Sequence, residues 1–476
     1  MKHIIRQILL GANSLVNQIL AAFMARVSAN GGTTEATDCV TTKLQAIDTK
    51  SLLQSATFAL IPSGIKAGTV FAEVPNSGNG DLTFTRTTAA TNGVTRVNSG
   101  SVIENVPPNT PRIDYSQGGC PNLLLEPQRR NLLKYSQDYS QSSAWGKTDT
   151  TVNQTAIVAP DNTITGNLVT ETLAVSSGLY QDITSSITVF PVTIYLKYGT
   201  QDWVRILISD SSVPNNNVRQ WINIQTGVLG TSQANGSGTA ISDASISSVN
   251  GWYKITFKAS FTGAAGYTYQ TMSAASNGST LRGSAGNTRY EWGKMIEDSG
   301  SSSVSYPTSY IPTTSGAATR NAESFTRNSV YTNNIIGSSG GTWFVEVKNN
   351  ISIKGDATSN YYGLYIGDSS SSPNNSICVY NDNTTNLLKI GTRASGTTTA
   401  RYTTAAASIK LIIRFDGSFV NAWSNGTQVI TNLSFTHTLS TFEYLAGINT
   451  DVSKYISQMA LWNTPLSDAQ CIALTS

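Results

Sequence analysis

The side chains that most enzymes rely on are scarce in this chain. Its 476 residues include two histidines, His3 and His437, so the commonest general base and metal ligand is nearly missing. Four cysteines, Cys39, Cys120, Cys378 and Cys471, stand far apart with no C-x-x-C or Cys/His metal spacing. They read as free buried thiols, not as a zinc site or a disulfide framework, which fits folding in a reducing cytosol. There is no P-loop, H-E-x-x-H or G-x-S-x-G string, and Asp368, Asp382, Asp416, Glu443 and Asp451 are scattered. The expectation is therefore no catalytic residue, no metal ligand set and no cofactor. Calcium is the alternative, with Asp298, Asp382 and Asp416 as loop ligands, against the plainer reading of Asp near Gly or Asn as a turn former. Binding chemistry is better represented. Aromatic side chains such as Trp203, Trp221 and Tyr269 can bind a ligand by stacking, which needs a flat apolar face beside hydrogen-bonding groups.

The elements that would hold these residues are written in the composition. Charged residues make up 12% of the chain, about half the usual share, and Ser, Thr, Asn and Gly fill the deficit. That is an all-β, extracellular type of surface, and the length suggests about three domains. The formal net charge is +3 without a clustered Lys/Arg stripe, which disfavours nucleic acid and anionic membranes as partners.

Residues 4–27 carry apolar side chains at Ile5, Ile8, Leu9, Ala12, Leu15, Val16, Ile19, Ala22, Phe23 and Val27, the spacing of an amphipathic helix made for self-association or docking. Polar residues inside the run disfavour a signal peptide or membrane span. A second helix is predicted over 33–53, with Ala36, Cys39, Val40, Leu44, Ile47 and Leu52 on one side. The string ARVSANGGTTEATDCVTTKLQAI resembles the N-termini of virion proteins in tailed phages of the gut Bacteroides group, and the resemblance implies an attachment module.

From 56 to 106 short strands alternate with turn signals such as Asn76-Ser77-Gly78-Asn79-Gly80. The stretch from Phe84 through Arg86, Arg96, Arg112, Asp114, Leu124, Glu126 and Arg129 to Leu132 resembles a module of phage tail-fibre, head-fibre and spike proteins. It implies a structural place in a virion fibre. Arg86, Arg112, Asp114, Glu126 and Arg129 are read as ion pairs fastening an irregular, proline-rich segment, and Leu123, Leu124 and Leu125 as leucines buried against a neighbouring domain or subunit.

Between 131 and 316 strand-like runs recur at short spacing, most clearly over Trp252–Lys258, where one face is apolar and the other polar. The pattern argues for an antiparallel sandwich or jelly roll. Asn131-Leu132-Leu133, Trp145, Gly251-Trp252-Tyr253-Lys254-Ile255, Glu291-Trp292-Gly293 and Thr308-Ser309-Tyr310-Ile311-Pro312 are similar to the carbohydrate-binding-module-like domains of phage fibres. On that resemblance Trp145, Trp252 and Trp292 are framework, and Trp203, Trp221 and Tyr269 are free to bind glycans.

The last 150 residues or so alternate over Thr342–Val347, Ile409–Phe415 and Phe419–Trp423, then close with a proline turn and a helix that Ser467 can cap. This ending resembles the concanavalin-A-like or laminin-G-like family. Members of that class that hydrolyse glycans carry an E-x-D-x-x-E strand, and residues 325–476 contain no such string.

The expected fold class is mainly β: a short N-terminal helical anchor followed by two antiparallel β-sandwich or jelly-roll domains. The expected units are 1–55, a helical attachment and oligomerisation segment; 56–130, an irregular β-rich coupling module; 131–316, the jelly roll; and 317–476, the laminin-G-like sandwich. The resemblances imply a non-enzymatic, homotrimeric appendage on the exterior of a tailed-phage virion. It would touch other virion proteins through its N-terminal segment and host-surface or mucus glycans through its β domains. The alternative is a head or tail assembly protein that binds no glycan.

Overall fold

The computed structural model describes residues 14–86, 94–173, 178–236, 239–263, 266–300, 303–304, 306–348, 363–381, 387–404, 408–448 and 454–476. The chain is mainly β, with antiparallel sheets packed as sandwiches and helices near both ends.

The first sandwich pairs a six-stranded sheet with a larger one. The strands of the six-stranded sheet are β1 (Gly146–Thr148), β2 (Gly178–Thr184), β3 (Trp203–Asp210), β4 (Asn217–Asn223), β5 (Val228–Asn235) and β6 (Gly266–Ala274), in the spatial order β1-β2-β6-β3-β4-β5. Opposite lie Thr150–Ile157, Gly166–Glu171, Thr288–Asp298, Val189–Tyr198, Trp252–Ser260 and Ala240–Val249. Period-two alternation sends Val204, Ile206, Ile208, Val218, Ile222 and Tyr269 from the first sheet against Val192, Ile194, Leu196, Ile255 and Phe257 from the second. Trp145 joins this core, and Trp252 and Trp292 join an apolar cluster beside it with Tyr310. These three tryptophans are framework, as predicted, with at most 1% of their surface exposed.

The second sandwich is built from two distant parts of the chain. One sheet runs Thr33–Thr34, Gly64–Lys66, Thr69–Phe71, Leu82–Thr85, Ser324–Asn328, Tyr444–Ile448, Leu364–Gly367, Ser376–Asn381, Leu388–Ala394, Thr397–Thr404. The other runs Thr427–Ser434, Phe419–Ser424, Ser408–Phe415, Gly341–Lys348, Lys454–Trp462, Asn122–Leu125, Arg112–Asp114, with Phe58–Leu60 also on Lys454–Trp462. Strands from 56–130 therefore complete both sheets of the C-terminal sandwich. Leu123, Leu124 and Leu125 pair with Ile456, Tyr455 and Lys454 and are at most 1% exposed.

Helices α1 (Leu15–Ala29) and α2 (Thr37–Asp48) form a third layer with the C-terminal helix α3 (Asp468–Thr475). Val16, Ile19, Val40, Leu44, Ile47, Leu474 and Cys471 cover Phe344, Ile412, Trp423 and Trp462 on the outer face of one sheet. Phe23 and Val27 pack on Phe71. The apolar seam expected to mediate self-association is thus buried within the chain from Val16 to Val27, because the sheet beneath offers an apolar face of its own. The rest of that seam, and His3, lie outside the described residues. Ser467 caps α3 in a capping box with Gln470.

The cysteines correct the sequence reading. Cys39 of α2 is disulfide-bonded to Cys120, with an S–S distance of 2.17 Å, while Cys378 and Cys471 are free and buried. The two partners are 81 residues apart, and only the docking of α2 beside the loop before Asn122–Leu125 brings them together. Reducing conditions are no longer implied.

Candidate functional site

The residues expected to fasten the irregular segment meet at the junction of the two sandwiches. Arg112 pairs with Glu126 at 2.7 Å and with Glu323, Arg86 pairs with Glu323 at 2.8 Å, and Arg320 pairs with Glu126 at 2.9 Å. Asp114 accepts from the Val97 and Ser116 amides, both at 2.9 Å, and the Arg129 guanidinium lies 4.7 Å from the Tyr306 ring centre. Burial pushes the Glu126 carboxyl up, but Arg320 and Arg112 outweigh it and hold the group at about 2. Charges this deep are stable because opposite charges answer Arg86, Arg112, Arg320, Glu126 and Glu323, and backbone amides answer Asp114.

Beside this network a cleft of about 500 Å³ opens between the sandwiches, with Asp114, Tyr195, Lys254, Thr256, Tyr310 and Tyr455 in its walls. Its carboxylates Asp114 and Glu126 are already committed to backbone amides and arginines. Among the described residues in its walls, neither of these two carboxylates is free, whereas glycoside hydrolysis uses a pair that can trade protons or attack. What it can do is accept a polar molecule.

The aromatic candidates separate according to strand parity. Tyr269 of β6 faces the core and is fully buried, edge-on to Trp145 at 6.3 Å between ring centres. It cannot serve as a platform. Trp203 and Trp221 lie on the opposite, outward face of the same sheet, because Val204 and Ile222 beside them take the core positions. Trp221 is nonetheless fully covered: its Nε1 donates to the Ser279 carbonyl at 2.8 Å, and the Arg205 guanidinium lies 5.9 Å from its ring centre. Trp203 keeps partial exposure. It rests against β5 where Gly230 has no side chain, and a Cβ there would come within 2.6 Å of its ring.

Around these two tryptophans the register builds a polar grid. Arg205 of β3 stands opposite Trp221 in β4 and Met272 in β6, and Leu207 stands opposite Arg219 and Gln270. Arg205 is 5% exposed, and one of its Nη atoms lies 2.9 Å from the Met272 sulfur. Arg219 reaches Gln233 at 3.4 Å. Arg282 approaches from the segment that follows β6. Burial, and then the charges of Arg282 and Arg219, push the Arg205 guanidinium down to about 10. The arginines went unrecognised at the sequence level, yet the signal was there: Trp203 and Arg205 share a parity, as do Arg219 and Trp221.

The calcium candidates are otherwise engaged. Asp298 grips Arg130 at 2.6 Å, and Asp416 accepts from the Ser418 and Phe419 amides at 2.9 and 2.7 Å. Asp382 lies outside the described residues. Among the described residues no group of three or more His, Cys, Asp or Glu could hold a metal ion.

No protein-family model matches the chain, and no curated protein matches it. Partial likenesses exist among solved structures. The Ruminococcus gnavus IT-sialidase CBM40 is 14% identical, covering 29% of this chain and 84% of its own with a TM-score of 0.23. Domain 4 of AbnA, a GH43 extracellular arabinanase from Geobacillus stearothermophilus, in complex with arabinotriose, is 12% identical over 34% of this chain and 77% of its own, with a TM-score of 0.24. Trypanosoma rangeli sialidase is 8% identical over 65% of this chain and 60% of its own, with a TM-score of 0.25.

Proposed function

We propose that this chain is a structural appendage protein on the exterior of a tailed-phage virion, and that it adheres to host-surface or mucus glycans through the outward face of the six-stranded sheet. The virion reading rests on the sequence resemblances at 25–47, 84–132 and 131–314, and with it come a homotrimeric state and attachment to other virion proteins through the N-terminal segment. The glycan reading rests chiefly on one observation. Trp203 is partly exposed on a sheet face that also carries Arg205, Arg219 and Gln270, so an aromatic side chain and hydrogen-bonding groups share one surface. Single contacts of this kind are weak, and a multimeric appendage makes them effective through avidity. The role is binding, not turnover. A glycan array probed with the intact chain tests it: retention on defined oligosaccharides is expected. Failure to retain any glycan, including host-cell polysaccharide, leaves an assembly or decoration role.

A further inference from the structure

Arginines buried in a protein are normally matched by carboxylates, and at the junction described above Arg86, Arg112 and Arg320 are. The outward face of the six-stranded sheet breaks that rule. Arg205, Arg219 and Arg282 are close enough for the charges of the other two to depress the Arg205 guanidinium. Arg205 has no ion pair among the described residues, and its guanidinium contacts are the Met272 sulfur and the Trp221 ring. Arg219 has a 3.4 Å contact with the neutral Gln233. The carboxylate that bears on Arg282 is Glu171, which is already paired with Arg289. Three guanidinium nitrogens, Nε of Arg205, Nε of Arg219 and Nη1 of Arg282, are buried and lack a hydrogen-bond partner among the described residues. Unsatisfied buried donors and gathered like charges both cost stability. An anion would satisfy both at once.

We infer that this face selects anionic glycans, with Arg205, Arg219 and Arg282 receiving a carboxylate or sulfate group while the sugar ring lies against Trp203. The inference rests on the proposal that the face binds glycans, and it adds the charge class. The planar guanidinium fork matches both anions, so the chemistry is shared between uronate-type and sulfated sugars.

Calorimetry on the intact chain separates these possibilities, using three probes of equal length: a neutral oligosaccharide, a uronate-containing one and a sulfated one. At low salt at least one acidic probe is expected to bind about tenfold tighter than the neutral one, with the preference shrinking as salt rises. Whether the carboxylate or the sulfate probe binds better identifies the group. Arg282→Gln, outside the strands, and Arg219→Gln are expected to lower acidic-probe affinity and flatten its salt dependence, with Arg219→Lys restoring part of the loss. Arg205→Gln should have the largest effect, and its thermal midpoint checks that folding is intact. Equal binding of neutral and acidic probes overturns the charge inference and leaves the glycan reading standing. Binding of none of the three overturns both. Capture of a single-stranded oligonucleotide as tightly as the best sugar would mean that the face reads charge alone, and overturns the inference as well.

Discussion

Trp203 and Trp221 are two positions apart across one strand pair, yet they differ in what they can do. Trp203 is partly exposed, whereas Trp221 is sealed by Arg205 and by its bond to the Ser279 carbonyl. Trp203→Ala should therefore abolish measurable glycan retention with little change in thermal midpoint. Trp221→Ala should destabilise the chain by about 3 kcal/mol, the usual cost of emptying an aromatic site, and parallel binding and denaturation curves check the contrast. A second prediction concerns protons. Burial pushes the Glu73 carboxyl up to about 8, although it accepts from the Ile61 amide at 2.7 Å and from the Ser63 hydroxyl at 3.3 Å. Between the ordinary carboxylate value of 4.5 and about 8 the folded chain holds a proton that the unfolded chain has released, so this group's contribution falls as pH rises through that window. Glu126 and Glu291 are both held at about 2, and their contributions are lost in the opposite direction, as pH falls from 4.5 through 2. The midpoint should accordingly peak near pH 5, and Glu73→Gln should remove the decline toward pH 8. An unchanged slope in that variant would rule Glu73 out as its source.

At the scale of elements, α2 is held over its sheet by Val40, Leu44 and Ile47, by the ion pair from Lys43 to Glu346 at 2.6 Å, and by the Cys39–Cys120 disulfide. The covalent bond closes a loop of 81 residues that includes Phe58–Leu60, Leu82–Thr85 and Arg112–Asp114 of the C-terminal sandwich, so it limits how far the N-terminal layer can peel away. Reduction, or Cys39→Ser, should cost about 2–4 kcal/mol and increase proteolysis within 37–66 first. Denaturation with and without reductant measures the first effect, and mapping the early cleavage sites measures the second. The strands themselves were unequally legible. Val189–Tyr198, β3, β4 and Trp252–Ser260 announce themselves by apolar alternation. Thr150–Ile157, β5 and Ala240–Val249 are largely exposed and carry few apolar residues, of which Val152, Leu229, Ile241 and Ile246 are only partly buried against the core, and they become strands because a neighbour supplies the ladder.

At the scale of the molecule, the two sandwiches close in different ways. The first draws its two facing sheets from 129–320, whereas the second needs Phe58–Leu60, Leu82–Thr85, Arg112–Asp114 and Asn122–Leu125 from before the first sandwich in sequence. A fragment spanning 129–320 should therefore unfold cooperatively, while 321–476 alone should be aggregated or molten, with apolar sheet edges and the Val345, Met459 and Leu461 face uncovered. Circular dichroism and dye binding on both fragments decide this, and a cooperatively folded 321–476 fragment would show that the shared strands are dispensable.

Composition and local pattern alone established the mainly β class, the antiparallel strands with one apolar face and the capped last helix, because each depends on neighbours within a few residues. The framework role of Trp145, Trp252 and Trp292 came from a resemblance and not from pattern. Which face a residue shares with distant partners was decided only by tertiary structure. Pairing between distant parts of the chain joined 56–125 to 324–462, brought Cys39 to Cys120, matched Arg112 to Glu323, and set Arg205 beside Trp221 with Arg219 and Arg282 acting on it. The physical reason is that sheet registers and ion pairs are chosen by burial of the whole assembly, and no window of sequence contains both members of such a pair.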